Sequence, residues 1–287
     1  MLELCRTVRF CLSADPASLS RPRRNNHSAW PAPRGLDRYY ELTVACRGTA
    51  DPQTGYFMNI KRIDQAVRTA ALPALQRRIQ SESAAATAPL GDVLRELLTA
   101  LDPELDRSVA WIELALTPRI RLALRAHDMD HTLIRQQYEF SAAHRLHAAG
   151  LSDDENRAVF GKCNNPAGHG HNYKLEVAIR SPIDPQGRPL DIDALDAAVD
   201  DLAIERLDHK HLNQDVAEFA KLNPSVEHIA RVIWGWLHGR MPGGAHLEEV
   251  RVWETGKTSC AYRGAEHGDT NATPPATNRA QASSAPA

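Results

Sequence analysis

The chain has 287 residues, which is enough for one large domain or two of ordinary size. Its 34 basic and 36 acidic residues give a formal net charge of -2, so overall charge gives no reason to expect a nucleic acid or an anionic membrane as a partner. Five scattered cysteines do not suggest a disulfide framework, and no apolar run is long enough to span a bilayer. The N-terminus lacks a secretory signal, so we expect a cytoplasmic protein.

The first half of the sequence predicts two strands, two helices and two further strands. Alternating apolar residues predict the strands, and apolar residues three or four apart predict the helices. Strands are expected at 7–13, 39–47, 108–116 and 119–125, and helices at 60–79 and 92–101. Pro73 is expected to bend or restart the first helix. The segments 14–37 and 81–88 have the composition of a long loop and a linker.

The second half predicts a similar series of elements. Strands are expected at 132–143, 172–180 and 248–255, and helices at 192–207 and 225–237, with an acidic loop or short helix at 151–162 and a disordered tail at 264–287. YYELTVACRGTADPQTG near the start aligns with NYKLEVAIRSPIDPQG further on, so that Tyr40 matches Tyr173 and Arg47 matches Arg180. We therefore predict an internal repeat, with units at 1–126 and 127–263. The alternative is two unrelated α+β halves.

Three histidines flank the two predicted strands at the start of the second half. His144 ends one strand, and His169 and His171 begin the next, where side chains two residues apart share a face. Three neutral imidazoles with one open position are typical of a catalytic zinc site. A lone His-x-His is weak evidence, and the alternative is that these are loop histidines on a polar rim.

Four other residues carry chemistry that the predicted elements do not explain. Cys163, in GKCNNPAGHGH, is either a fourth metal ligand or a base whose thiolate a nearby cation favours. Asp208 and His209 form a potential acid–imidazole pair, although a charged loop between helices is more often a solvated surface. Glu254 shares a strand face with apolar residues, so its carboxylate needs a partner such as the guanidine-like edge of a ligand ring.

The segments FSAAHRLH, GKCNNPAGHGHNY, LDHKHLN and VWET together resemble the 6-pyruvoyl-tetrahydropterin synthase family over residues 132–263. The resemblance implies an α+β fold of T-fold units, each a four-stranded antiparallel sheet with two helices on one face, that assemble into a barrel homo-oligomer. It implies Zn²⁺ on His144, His169 and His171, Cys163 as the catalytic base and Glu254 as the pterin anchor. It also implies that Asp208 and His209 support proton transfer, and that the substrate is 7,8-dihydroneopterin triphosphate, from which triphosphate is eliminated.

Other functions remain open. The 6-carboxy-tetrahydropterin synthases of queuosine (7-deazaguanine) biosynthesis use the same substrate and metal, although they typically have a shorter gap between the cysteine and the His-Gly-His motif. A noncatalytic pterin-binding module is a second alternative. A zinc hydrolase is a third, but the sequence shows no obvious general-base carboxylate beside the histidines.

The first half lacks this chemistry. The alignment places Leu36 and Arg38 at the positions of His169 and His171, and Ala14 near that of His144. Glu113 alone keeps the position of Glu254. We therefore expect a degenerate T-fold unit without a metal site.

Overall fold

The computed structural model describes residues 1–13, 25–33, 35–80 and 88–264. By its internal contacts, the chain forms two compact units, each built from three segments. The first unit comprises Met1–Tyr138, Glu176–Ala198 and Met241–Glu248, and the second comprises Glu139–Leu175, Val199–Arg240 and the described residues from Glu249 onward. The predicted loop 14–37 and linker 81–88 lie only partly within the described residues. Of the predicted tail, only Gly264 does.

The described strands follow the order β1–β2–β3–β4–β5–β6–β8–β9, and the two-residue β7 pairs in parallel with β5. The recorded pairings β1–β2, β2–β3, β3–β4, β4–β5 and β8–β9 are antiparallel. The strands are β1 Leu2–Leu12, β2 Arg38–Gly48, β3 Val109–Ala115, β4 Ile120–Arg125, β5 Asp128–His144, β6 His169–Pro182, β7 Lys210–His211, β8 His246–Thr255 and β9 Thr258–Tyr262. The predicted α+β class with an antiparallel sheet is confirmed.

Helices connect these strands, and two of the helical stretches contain a π-helical turn. The helices are α1 Ile60–Ala66, α2 Leu72–Gln80, α3 Leu90–Glu104, α4 Asp153–Phe160, α5 Ile192–Val199, α6 Glu205–Leu207, α7 Leu212–Asp215 and α8 Val226–Leu237. The π turns are Val67–Ala71, between α1 and α2, and Asp200–Ile204, between α5 and α6. None of the described helices is both long and apolar enough to cross a membrane.

The core of the first unit lies between its sheet and its helices. Leu42 and Val44 on β2 are fully buried, as the alternation predicted, and so are Leu97 and Leu101 on α3 to within 1%. Helix α3 lies against β3 and β4. The restart predicted at Pro73 is confirmed, because the irregular turn Val67–Ala71 ends directly before α2, which begins at Leu72. Pro73 has no N–H to donate to the preceding turn, in keeping with the irregular hydrogen bonding there.

The second unit contains two strands that the sequence did not predict. The segment 248–255 is not the last strand, because β9 follows it after a tight turn and pairs with β8 from Val250↔Tyr262 to Thr255↔Thr258. Helix α8 covers β9, with Trp234 edge-on to Tyr262 at 5.6 Å between ring centroids. The segment after α6 was predicted as a charged connection, but Lys210 and His211 in it form β7 on β5. β7, with two residues, is too short to give an alternating pattern, and the sequence TSCAY of β9 does not alternate between polar and apolar residues.

Candidate metal centre and active site

The three histidines predicted as metal ligands converge at adjoining strand ends of the second unit. His144 is the last residue of β5, and His169 is the first residue of β6, with His171 two residues further along the same strand. Residues that alternate along a strand share a face, so the two β6 imidazoles point the same way. The ring centroids lie 4.6, 5.2 and 4.7 Å apart for the pairs 144–169, 144–171 and 169–171.

The potential ligand nitrogens of these three rings all lie within 4.8 Å of one another. Nε2 of His144 is 3.1 Å from Nε2 of His169, and Nε2 of His171 is buried without a hydrogen-bond partner among the described residues. Two facing imine nitrogens can share at most one proton, whereas a cation among the three rings can accept a lone pair from each. The donor set therefore fits zinc.

Two groups fix the orientation of the His144 imidazole through Nδ1, the nitrogen that faces away from the cluster. Its Nδ1 lies 2.7 Å from the carbonyl oxygen of Pro224 and 3.4 Å from the hydroxyl of Tyr173. A proton on Nδ1 donated to the Pro224 carbonyl leaves Nε2 as a free lone pair. Phe140, earlier on the same strand, stacks on Tyr173 with 4.9 Å between the ring centroids. This packing holds the side chain in the orientation that a metal ligand needs.

Burial keeps the His144 imidazole neutral. The side chain is 0% exposed, and burial lowers its pKa from 6.5 to about 4, with further lowering from the neighbouring histidines and an opposing effect of the Pro224 carbonyl. Burial likewise lowers the pKa of His169. Neutral imidazoles are the form that binds metal.

We expect the metal-free protein to lose stability as the pH falls from 6.5 towards 4. The unfolded chain takes up a proton on His144 near pH 6.5, whereas the folded chain resists protonation until about pH 4. The linkage relation then gives a loss of about 2 kcal/mol in the free energy of unfolding between pH 7.5 and pH 5.0 from this group. Urea unfolding of chelator-treated protein at both values measures it. His144→Met should lose less over this interval, and an unchanged loss in that variant would contradict the assignment.

Glu254 lies beside the histidine cluster, on β8. Its Oε1 is 3.4 Å from Nε2 of His144 and 3.7 Å from Nε2 of His171, and its side chain is 18% exposed. The strand face that it shares with Val250 and Val252 is apolar, as predicted, since both valines are fully buried. The sequence showed no obvious carboxylate beside the histidines, but the strand order brings Glu254 there, because β8 lies next to β6. Glu254 can therefore accept hydrogen bonds from a ligand held at this cluster.

Cys163 is half-buried in the 3₁₀ turn Gly161–Asn164, between α4 and β6. Its backbone carbonyl accepts a hydrogen bond of 2.8 Å from the N–H of Leu146, which follows the end of β5. Burial raises the pKa of the Cys163 thiol, and the Glu254 carboxylate raises it further. Without a bound cation, both effects therefore favour the neutral thiol over the thiolate. The thiol is not a member of the three-histidine cluster.

Asp208 and His209 form the predicted pair. Nδ1 of His209 is 2.7 Å from Oδ2 of Asp208, and Oδ1 of Asp208 accepts 2.8 Å from the N–H of Ser141. The Ser141 bond, with a smaller contribution from His209, lowers the pKa of Asp208. His209 itself has a φ of 56° and its N–H donates to the Ser141 carbonyl at 2.6 Å. Its side chain is 83% exposed, so the imidazole is open to solvent and to a ligand.

A pocket of about 630 Å³ is lined by one residue of the histidine cluster, His171, and by one residue of this pair, His209. Lys210 also lines it. Cys163 is not among the described residues that line it. The structure thus brings His171 and His209 to one pocket, and it brings Glu254 to the three histidines.

Two features of this site were not predicted from the sequence. His211 lines the same pocket, and its Nδ1 is buried without a hydrogen-bond partner among the described residues. The main chain after His144 is held by asparagine side chains at 156, 213 and 223. The motif LDHKHLN contains His211, but the pattern alone did not separate it from a solvated loop. The asparagines are far apart in sequence and leave no pattern.

The profile of the family described as 6-pyruvoyl tetrahydropterin synthase matches residues 133–265. Proteins named 6-pyruvoyl tetrahydrobiopterin synthase are similar to the same part of the chain. The one from Poecilia reticulata is 43% identical over 46% of this chain and 89% of its own length, and the one from Homo sapiens is 41% identical over 46% and 90%. A solved structure of Caenorhabditis elegans 6-pyruvoyl tetrahydropterin synthase is 36% identical, with a TM-score of 0.44, over 47% of this chain and 96% of that chain.

The antiparallel sheet and the three-histidine cluster define an α+β protein with a site that could hold a metal ion. The extent and identity of the sequence matches define its family. This chain belongs to the 6-pyruvoyl tetrahydropterin synthase family, and it is an enzyme of the lyase class. The predicted family and enzyme class are confirmed.

Proposed function

We propose that residues 127–263 form a zinc-dependent 6-pyruvoyl-tetrahydropterin synthase that eliminates triphosphate from 7,8-dihydroneopterin triphosphate. The convergence of His144, His169 and His171, with the support of His144 by the Pro224 carbonyl, is the observation that carries the proposal. When bound, zinc supplies Lewis-acid polarisation to the side-chain oxygens of the substrate and a positive charge that favours a neighbouring thiolate.

The residues of the chain divide the remaining work. Cys163 would act as the general base that takes the proton from the carbon next to the side-chain hydroxyls of the substrate. His209 carries a second proton, and Asp208 holds it in one tautomer through the 2.7 Å contact to Nδ1. Glu254 anchors the pterin ring, and its distance to the histidines also allows it to accept a hydrogen bond from a substrate hydroxyl.

The 6-carboxy-tetrahydropterin synthase reaction is the second candidate. Five residues separate Cys163 from His169, and the related carboxy enzymes typically have a shorter gap, which favours the pyruvoyl product. Both reactions use the same metal and the same substrate. The products separate them, since the carboxy reaction also releases acetaldehyde.

Product analysis distinguishes the pyruvoyl reaction from the carboxy reaction. Incubation of the zinc-loaded protein with 7,8-dihydroneopterin triphosphate should give inorganic triphosphate and a pyruvoyl-pterin. Acetaldehyde with a carboxy-pterin would move the assignment to the queuosine branch. Release of monophosphate would indicate a zinc hydrolase that uses Glu254 as its base. No phosphate release, with retained pterin binding, would leave a binding module.

We propose that residues 1–126 form a degenerate copy of the catalytic unit at 127–263. The order of strands and helices supports this. The first copy has β1 and β2, the helices α1 to α3, and then β3 and β4, and the second has β5 and β6, which α4 separates, then further helices with the short β7 among them, and then β8 and β9. Aromatic pairs support it too, since Phe10 stacks on Tyr40 at 6.0 Å and Phe140 stacks on Tyr173 at 4.9 Å between ring centroids, and the alignment matches Tyr40 with Tyr173.

One tightly bound zinc per chain is therefore the expected stoichiometry. Among the described residues, the only cluster of histidine, cysteine or carboxylate groups suited to a metal is the one at His144, His169 and His171. Elemental analysis of dialysed protein measures the ratio. Two tightly held zinc ions per chain would contradict the proposed loss of the site from the first half.

The proposed assembly is a barrel homo-oligomer in the cytoplasm. In the described part of the chain, β1 pairs only with β2, and β9 pairs only with β8. Such outer strands carry unpaired backbone groups, which edge-to-edge association satisfies. Sedimentation velocity that shows a monomer at micromolar concentration would rule the barrel out.

A further inference from the structure

The segment Arg145–Ala148 has no regular secondary structure, yet each of its backbone N–H groups donates a hydrogen bond. The N–H of Arg145 donates to Oδ1 of Asn213 at 2.8 Å, and Nδ2 of Asn213 donates back to the Arg145 carbonyl at 3.0 Å. The N–H of His147 donates to Oδ1 of Asn223 at 3.0 Å. The segment is thereby fixed relative to His144, which precedes it directly.

Two of these residues reach from this segment to the cysteine turn. Nε and Nη2 of Arg145 both donate to Oδ1 of Asn164, at 3.2 and 3.1 Å, and Nδ1 of His147 lies 3.1 Å from the same oxygen. Asn164 is 8% exposed and directly follows Cys163. The N–H of Leu146 donates to the Cys163 carbonyl at 2.8 Å. Four contacts therefore converge on two consecutive residues of the turn.

We infer that Arg145 is a positioning residue that holds Cys163 beside the histidine cluster through Asn164. This inference rests on the proposed function, because it takes Cys163 to be the base of that reaction. It assigns Arg145 no contact with substrate. A planar guanidinium presents two N–H donors to one acceptor in a fixed geometry, and an ammonium group does not. A small displacement of a reacting group costs as much as about 100-fold in rate. The hydrogen bonds from Arg145 to Asn164, which we call the clamp, thus link the position of Cys163 to the position of the ligand His144.

Arg145→Lys and Asn164→Leu test the clamp. Each should lower kcat by about 10- to 100-fold, change KM by less than about 2-fold and leave the zinc content unchanged. The double variant should lose no more than Asn164→Leu alone, because that variant already removes the Arg145–Asn164 interaction. Arg157→Lys is the matched control, since Arg157 also lies in the second unit but pairs with the exposed Asp154. Losses that multiply in the double variant, or that appear in KM alone, would overturn the inference.

Hydrogen exchange provides a readout that does not depend on the reaction. The amide of Leu146 should exchange about 10-fold or more faster in Arg145→Lys and Asn164→Leu, while the amide of Ile229, which donates to the Ser225 carbonyl, should be unchanged. Unchanged exchange at Leu146 would refute the clamp. If the unaltered protein released no triphosphate while the Leu146 result held, the proposed function would fail and the positioning of the Cys163 turn would stand.

Discussion

Cys163→Ala should abolish turnover of 7,8-dihydroneopterin triphosphate and leave the zinc content at one ion per chain. The thiol lies outside the three-histidine cluster, so its removal takes away a base and not a ligand. General-base catalysis contributes about 10²- to 10⁴-fold, and the loss of kcat should fall in that range or beyond it. Steady-state triphosphate release and elemental analysis of the same preparation measure the two effects.

Cys260→Ala is the control for this variant. Cys260 is a free cysteine of the second unit with a comparable intermediate exposure, and it lies on β9. It should retain full turnover and full metal content. Loss of zinc from Cys163→Ala would make the thiol a fourth ligand and would close the position that the proposed reaction needs.

His171→Ala should lose both zinc and turnover. Removal of one imidazole leaves two ligands on β5 and β6, and the deleted Nε2 is the buried nitrogen that has no hydrogen-bond partner among the described residues. Loss of an outer-shell partner already weakens metal binding about 10- to 100-fold, so loss of a ligand should cost more. Competition with a chromogenic chelator measures the affinity.

His246→Ala is the matched control. His246 is exposed at the start of β8, and it should bind zinc and turn over substrate normally. Turnover should return to His171→Ala only at zinc concentrations that restore binding. Normal zinc affinity in His171→Ala would contradict the assignment of this side chain as a ligand.

The sequence predicted the parts of the fold that have strong periodic patterns. Residues 132–143 alternate over many positions, and the strand indeed ends at His144. The two helices of each half were also predictable, because their apolar stripes are long. Short elements were not: β9 has five residues and β7 has two, and their pairing with β8 and β5 stabilises them more than their own composition does.

The site could be predicted only in part. The His-Gly-His spacing and the strand context placed His169 and His171 together, since one strand carries both. The approach of Glu254 could not be foreseen, because it depends on β8 lying next to β6. The direction of the Cys163 pKa depends on burial and on that same carboxylate. The hydrogen bonds from Arg145 to Asn164 join residues 19 positions apart in a turn without pattern.

X-ray absorption at the zinc edge of the loaded protein is the most direct test of the central claim, that three imidazoles hold the metal and the thiol stands beside it. We expect three nitrogen scatterers from histidine at about 2.0 Å, a light-atom fourth ligand and no sulfur. A sulfur scatterer at about 2.3 Å, lost in Cys163→Ala, would contradict it.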